Sequence, residues 1–291
     1  MSLVSMKELL DKAKEKNYAV GAFDTMDRVT TEAILEAAEE TATPIILMVV
    51  PPCVNTEMMP DAEEFMHYVV NRCSHSPVPV ALHLDHAPSY EDCIRGIKYG
   101  CTSVMFDGSS LPLEENIAIT KKVIEAAHAC GITVEAEIGH VAGHEGNMLD
   151  GNVADPSCYT SVEEAVRFQN ETGVDCLAVA IGTVHGVYKG TPNIDYDRLD
   201  EIKKAVSIPI VLHGGSGLSD EDYKKLVRHG INKINFFTAM TLAGAKAVQD
   251  FAAATPKFQC MDVVQVMAQA EKDVVKHHIQ VFGTLPVSRQ S

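Results

Sequence analysis

Four short segments hold the residue types that could do chemistry. They are His83-Leu84-Asp85-His86, Glu135-Ala136-Glu137, Gly182-Thr183-Val184-His185-Gly186 and His213-Gly214-Gly215-Ser216-Gly217. Each stands where an apolar, strand-like run ends. With Asp107, which closes a fifth such run, they bring three histidines (His86, His185, His213) and several carboxylates to the same end of their strands. Three neutral imidazoles with an open fourth position suit a catalytic Zn²⁺. Carboxylates such as Asp107 and Glu137 serve there as alternative ligands or as partners that orient the imidazoles. A lone histidine is more often structural than a ligand, but three on one rim reverse that expectation. Strand alternation puts His83 and Asp85 on one side of a sheet, with His86 entering the following loop. His83 then reads as a packed residue or a partner of a ligand. Asp85, beside His86, is placed either to transfer a proton or merely to orient a histidine.

A second chemistry lies in the glycines. Gly186, Lys189, Gly214, Gly215, Ser216 and Gly217, with the stretch Asn235 to Thr238, have the makings of an anion pocket. Glycines let backbone N–H groups approach a phosphate, and a helix N-terminus favours its charge. Taken alone, a Gly-Gly-Ser-Gly run is often just a turn. It also fails as a nucleophile elbow, because Leu218 stands where the G-x-S-x-G pattern needs its last glycine.

These residues need a scaffold that converges strand ends. Strands are expected at Tyr18–Phe23, Pro44–Val50, Pro79–Leu84, Ser103–Phe106, Thr133–Ile138, Cys176–Ile181, Pro209–His213 and Lys233–Phe236. Many are continuous apolar runs, the mark of parallel strands buried on both faces. Helical patterns fill the gaps: Thr30–Thr41, Ala62–His75, Tyr90–Tyr99, Glu114–Ala129, Ser161–Thr172, Tyr196–Val206, Ser219–His229 and Ala239–Ala254. Eight βα units in 291 residues point to an α/β fold, a (β/α)8 TIM barrel, in one domain spanning 1–291. A doubly wound open sheet would call for G-x-G-x-x-G after the first strand, where Asp24-Thr25-Met26 stands instead. The N-terminus reads as an amphipathic helix. Residues 256–291 read as a C-terminal helical extension, with Met261 to Phe282 as a helix that caps the barrel or meets another subunit. Residues 140–160 are long, polar and glycine-rich, and read as a mobile lid beside Glu137.

Composition narrows the function classes. With 40 acidic against 24 basic residues the net charge is −16, which opposes non-specific nucleic-acid binding. No segment is apolar over the roughly 18 residues a membrane span needs, and the N-terminus lacks the features of a signal peptide. Eight scattered cysteines form no C-x-x-C pair. They read as free, mostly buried thiols of a protein in the reducing cytoplasm.

The motifs HLDH, FDGSS, VEAEIGHVAG-x-E, GVDCLAVAIGTVHGVYKG-x-P and PIVLHGGSGLSDED resemble those of the class II, metal-dependent ketose-bisphosphate aldolases, the fructose- and tagatose-bisphosphate aldolase family. The resemblance runs from about Lys7 to Gly283. It implies a TIM barrel, Zn²⁺ with a monovalent cation as a further candidate, and a role in carbohydrate metabolism such as glycolysis. The implied reaction is reversible aldol cleavage that releases dihydroxyacetone phosphate. It also implies a homodimer or homotetramer with the C-terminal helices in contact. Carried over residue by residue, His86, His185 and His213 match the zinc ligands. Asp107 and Glu137 match acids of an alternative or second metal position. Asp85 matches the aspartate that exchanges a proton with the C4 hydroxyl, and Glu145 the loop glutamate that moves the dihydroxyacetone phosphate proton. Gly186, Lys189, Gly214, Ser216 and Thr238 match the site for the C1 phosphate, Gly215 lies within the same loop, and Asn235 matches a residue near the reacting carbons.

The chemistry agrees with that assignment. Breaking C3–C4 leaves negative charge that a Lewis acid stabilises, and the hydroxyl side needs a proton acceptor. No nucleotide motif and no attacking water is required. Four positions depart from the family's pattern: Phe237 where a polar residue is common, Val50 where a serine is, Thr241 where a basic residue is, and Asp24 where asparagine is. All fall on the aldehyde side. The expectation is an active aldolase whose aldehyde half is not glyceraldehyde 3-phosphate. Three alternatives remain at the level of sequence: an aldolase with a standard fructose- or tagatose-bisphosphate substrate, a zinc-dependent hydrolase that activates water, and a catalytically silent sugar-phosphate-binding subunit.

Overall fold

Short apolar runs become the eight strands of a closed parallel barrel, paired in chain order from β1 round to β8. In this computed structural model, residues 2–143 and 153–289 are described. The strands are β1 Val20–Asp24, β2 Ile45–Val49, β3 Val80–Ala87, β4 Ser103–Phe106, β5 Thr133–Ile138, β6 Cys176–Val179, β7 Ile210–Leu212 and β8 Ile231–Phe236. The helices are α1 Met6–Lys16, α2 Arg28–Thr41, α3 Ala62–Ser74, α4 Tyr90–Lys98, α5 Leu113–Ala129, α6 Val162–Thr172, α7 Tyr196–Ala205, α8 Asp220–His229, α9 Thr238–Ala254 and α10 Cys260–Val281. The expected TIM barrel with extra C-terminal helix is therefore the observed fold. Element ends agree with expectation or move by up to three residues, and at several helix starts a side-chain cap rather than the hydrophobic period sets the boundary. Asp27, Ser89, Ser161 and Ser219 accept hydrogen bonds from the first turns of α2, α4, α6 and α8.

Period-two alternation sorts the strand residues into two layers. Leu47, Leu82, Leu84, Val104, Val134, Leu177, Leu212 and Ile234 belong to the cluster between sheet and helices. Val20, Ala22, Ile46, Met48, Ala81, Cys176, Ala178 and Val211 form a second cluster together with Met6, Leu9, Leu10 and Ala13 of α1. The N-terminal helix is thus a plug. Its flanks are tied to the starts of strands, with Val4 N–H donating to the Val80 carbonyl at 2.9 Å and Lys7 N–H to Thr133 Oγ1 at 3.1 Å. Closing that end with hydrocarbon leaves the opposite rim, at the strand C-termini, for polar chemistry. α10 packs on α9 and α2.

β3 departs from expectation. Its pairing with β4 passes from Leu84↔Val104 to Ala87↔Phe106, so one extra residue is inserted. His86 sits in that bulge with φ of 47°. The strand does not end at Leu84 with His86 in a loop; it runs on to Ala87. A bulge lets two consecutive residues escape strict alternation, so Asp85 and His86 both serve the barrel mouth.

Candidate active site at the barrel mouth

His86 on β3, His185 on the loop after β6 and His213 directly after β7 converge at the rim. Each offers a ring nitrogen, and the three atoms lie within 4.8 Å of one another. The ring centroids are 4.6 Å apart for His86 and His213, 4.9 Å for His86 and His185, and 5.8 Å for His185 and His213. Asp107 Oδ2 sits 2.8 Å from His86 Nδ1, which turns His86 Nε2 toward the common point. Asp107 is itself held by the Ser109 hydroxyl at 2.7 Å. His185 is fixed by its backbone, whose N–H donates to the Ala142 carbonyl at 2.9 Å. His213 Nδ1 and Glu137 Oε2 approach to 2.9 Å, yet both these buried atoms, like His86 Nε2, lack an aligned hydrogen bond. Buried polar atoms that converge without partners are what a cation-binding site presents. A second grouping, His86, Asp107 and Glu137, shares that corner. The residues therefore fit a divalent metal held by imidazole, with carboxylates in reserve.

The electrostatics follow from crowding. Burial pushes His86 down, but Asp85, Asp107 and Glu137 outweigh it and hold the ring well above the usual histidine range. Burial, reinforced by His86 and His213, keeps His185 well below that range. His213 resists burial through Glu135 and Glu137 and is raised to about 9.

Asp85 lies beneath this cluster, fully buried. Burial disfavours its charge, but His86, His83, Lys233 and His213 together hold it well below the ordinary carboxylate range, so it is an acceptor at neutral pH. Asn235 Nδ2 donates to both carboxylate oxygens, at 3.2 and 3.0 Å, and fixes the plane of the group. His83 is not at the rim. Its Nδ1 pairs with Ser103 Oγ at 2.8 Å and its Nε2 stands 3.5 Å from Asp85 Oδ1, which makes it a packed partner of the aspartate.

The glycine loops lie across from the histidines. Gly214 has φ of 65°, and a Cβ there would stand 2.4 Å from the Val184 carbonyl oxygen; at Gly215 it would stand 2.5 Å from the Asn235 carbonyl oxygen. Only glycine permits the two loops to close on each other in this way. The Tyr188 hydroxyl stitches them, accepting from Val184 N–H at 3.2 Å and donating to the Gly214 carbonyl at 2.7 Å. Ser216 Oγ accepts from Phe237 N–H at 3.2 Å and Ala239 N–H at 3.3 Å, at the start of α9. Gly186 has φ of 75° and is buried, Thr238 is the first residue of α9 and is buried, and Lys189 is exposed on the loop after His185. Glu145 lies outside the described residues.

A cavity of about 340 Å³ opens at the rim, lined by residues that include Val50, His86, Asp107, Glu137, His140 and His185. Asp24 is buried at the end of β1, Phe237 is half-buried before α9, and Thr241 Oγ1 donates to the Thr238 carbonyl at 3.0 Å. All eight cysteines are free; five are buried, and burial raises those thiols. Two interior residues carry contacts that the sequence did not assign: Glu135, named there only within its segment, and Lys233, named only as a strand end. Glu135 accepts from His213 Nε2 at 2.9 Å, and the fully buried Lys233 pairs with the same carboxylate at 2.9 Å. The signal was present: alternation from Glu137 back to Glu135, and from Asn235 back to Lys233, puts all four side chains inside the barrel.

Comparison with known proteins agrees with this geometry. The family model described as fructose-bisphosphate aldolase class-II matches residues 4–285. A probable fructose-bisphosphate aldolase of Bacillus subtilis (strain 168) is 41% identical over 291 residues, covering 98% of this chain and 99% of the relative. A fructose-bisphosphate aldolase of Staphylococcus aureus (strain Mu50) is 41% identical over 290 residues, covering 98% of each. Among solved structures, the YdjI aldolase from Escherichia coli K12 superposes with a TM-score of 0.83 at 31% identity, over 97% of this chain and 98% of that one. A putative fructose-1,6-biphosphate aldolase from Coccidioides immitis gives a TM-score of 0.84 at 27% identity, over 96% of each chain.

Proposed function

The chain belongs to the class II fructose-bisphosphate aldolase family, and from that premise we propose that it cleaves a ketose phosphate reversibly into dihydroxyacetone phosphate and an aldehyde, using Zn²⁺ held by His86, His185 and His213. The observation that carries this reading is the meeting of three imidazole nitrogens within 4.8 Å, with the fully buried Asp85 carboxylate 3.6 Å from His86 Nε2. When bound, the zinc supplies Lewis-acid stabilisation of the negative charge left by C3–C4 cleavage. Asp107 and Glu137 orient the histidines and stand as alternative ligands.

The chain's own residues do the rest. Asp85 accepts the proton of the C4 hydroxyl during cleavage and returns it during condensation. Asn235 holds that carboxylate in place, so little reorganisation is needed when the proton moves. Glu145 moves the proton on the dihydroxyacetone phosphate carbon. The C1 phosphate is received by the backbone of Gly186, Gly214 and Gly215, the hydroxyls of Ser216 and Thr238, and the N-terminal end of α9, with Lys189 contributing charge.

The aldehyde half is proposed to be uncharged or less polar than a phosphorylated triose. The described residues lining the mouth cavity include Asp107 and Glu137 but no lysine or arginine, and Val50 faces it. Steady-state cleavage of ketose 1-phosphates and of fructose 1,6-bisphosphate, each with and without a chelator, tests both parts. We expect chelator-sensitive turnover with the 1-phosphates favoured. A strong preference for the bisphosphate would sink the aldehyde assignment, and chelator-insensitive cleavage would sink the metal assignment.

A further inference from the structure

Below the metal-ligating rim the barrel holds a charged pair whose lysine helps to keep Asp85 ionised but whose glutamate has no part in the proposed reaction. Lys233 and Glu135 are both fully buried. Lys233 Nζ lies 3.1 Å from Glu135 Oε1 and 2.9 Å from Oε2. Glu135 Oε1 also meets His213 Nε2 at 2.9 Å, and Cys176 Sγ lies 3.6 Å from Oε2. Every neighbour of this carboxylate named here is a donor. A buried ion pair contributes little net stability, since desolvating two charges offsets most of their attraction. Stability alone is therefore a poor account of its presence directly behind one ligand.

Tautomer control is a better one. An ionised carboxylate can only accept, so His213 must carry a proton on Nε2. In a neutral ring that leaves the lone pair on Nδ1, the atom that faces Glu137 and the shared ligand position. We propose that Glu135, itself clamped by Lys233, is a positioning residue that fixes His213 in the tautomer able to bind metal. The proposal rests on the metal reading above but not on the aldol reaction.

The test is zinc affinity of the full chain, measured by competition with a chromophoric chelator. In Glu135→Gln, Lys233 competes for the one amide oxygen and turns the amide nitrogen toward His213, which favours the wrong tautomer. Zinc affinity should fall about 10- to 100-fold, the usual range for losing such a partner. Adding Lys233→Met should free that oxygen for His213 and recover most of the loss. A purely structural pair predicts the reverse, a double variant no better than the single one. Unchanged affinity in Glu135→Gln, or no recovery in the double variant, would overturn the proposal. If the variants do not fold, ¹⁵N-histidine NMR of the zinc-loaded wild type decides. It should hold a ligating imidazole protonated at Nε2, and its absence would overturn the proposal equally. Zinc binding without aldol activity would leave this inference standing and remove the functional reading instead.

Discussion

Asp85 can serve as a base only because its neighbours are basic. In an apolar pocket a fully buried carboxyl would be neutral and useless as an acceptor. Here His86, His83 and Lys233 keep it charged, and Asn235 fixes its orientation. Asp85→Asn keeps the shape and removes the acceptor, so kcat for ketose cleavage should fall about 10²- to 10⁴-fold. Proton exchange at C3 of dihydroxyacetone phosphate, which does not involve the C4 hydroxyl, should persist; loss of both in a folded, zinc-loaded variant would contradict the separate role given to Asp85. At this scale the sequence was generous. Residue type and strand-end position led to the three histidines, Asp107, Glu137 and Asp85. The same alternation that linked His83 to Asp85 would have reached Glu135 and Lys233 as well. A buried lysine in an apolar strand reads from sequence as a strand boundary, because lysine is almost never fully buried unless paired, and its partner is 98 residues away.

Among the elements, β3 and α10 are the instructive ones. The eight strands were legible because parallel strands buried on both faces are continuous apolar runs. The bulge at His86 was not, since it depends on the register against β4 and on a left-handed backbone at a histidine. That irregularity lets Asp85 and His86 act side by side. In α10, Glu271 is buried beside Gly244 of α9, and burial raises its carboxyl to about 7 from an ordinary 4.5. The folded state therefore binds this proton more tightly than the unfolded state. The stabilisation is complete below pH 4.5 and is lost as pH rises through 7. Glu271→Gln should leave Tm at pH 5 nearly unchanged and raise it at pH 8 by roughly 2–4 °C, the shift that about 1 kcal/mol gives in a domain somewhat smaller than this one. Thermal melts at both pH values check this, and a lowered Tm at pH 8 would contradict the burial argument.

Across the whole molecule, the barrel has a dry end and a charged end. α1 fills the bottom with Met6, Leu9 and Leu10, so access is from the rim where the histidines, Asp85 and the glycine loops meet. The apolar periodicity of α1 was readable, but its role as a plug was not, because nothing local says which surface a helix covers. Gathering three histidines and three carboxylates into one rim leaves it short of positive charge, which a divalent ion relieves. Zinc at 100 times its Kd adds about 2.7 kcal/mol to stability. Stripping it with a chelator should lower Tm by roughly 5–10 °C by the same size scaling, reversibly, and the effect should vanish in His213→Ala. A chelator-independent melt of the wild type would argue against a resident metal at this site.

The central claim is that the metal, phosphate and proton-moving parts of this rim perform the dihydroxyacetone phosphate half of an aldol reaction, whatever the aldehyde. The most direct measurement incubates the zinc-loaded protein with dihydroxyacetone phosphate in D₂O, without any aldehyde, and follows deuterium uptake at C3 by NMR. The account predicts exchange that is abolished by His213→Ala. No exchange, in protein shown to hold zinc, would contradict it.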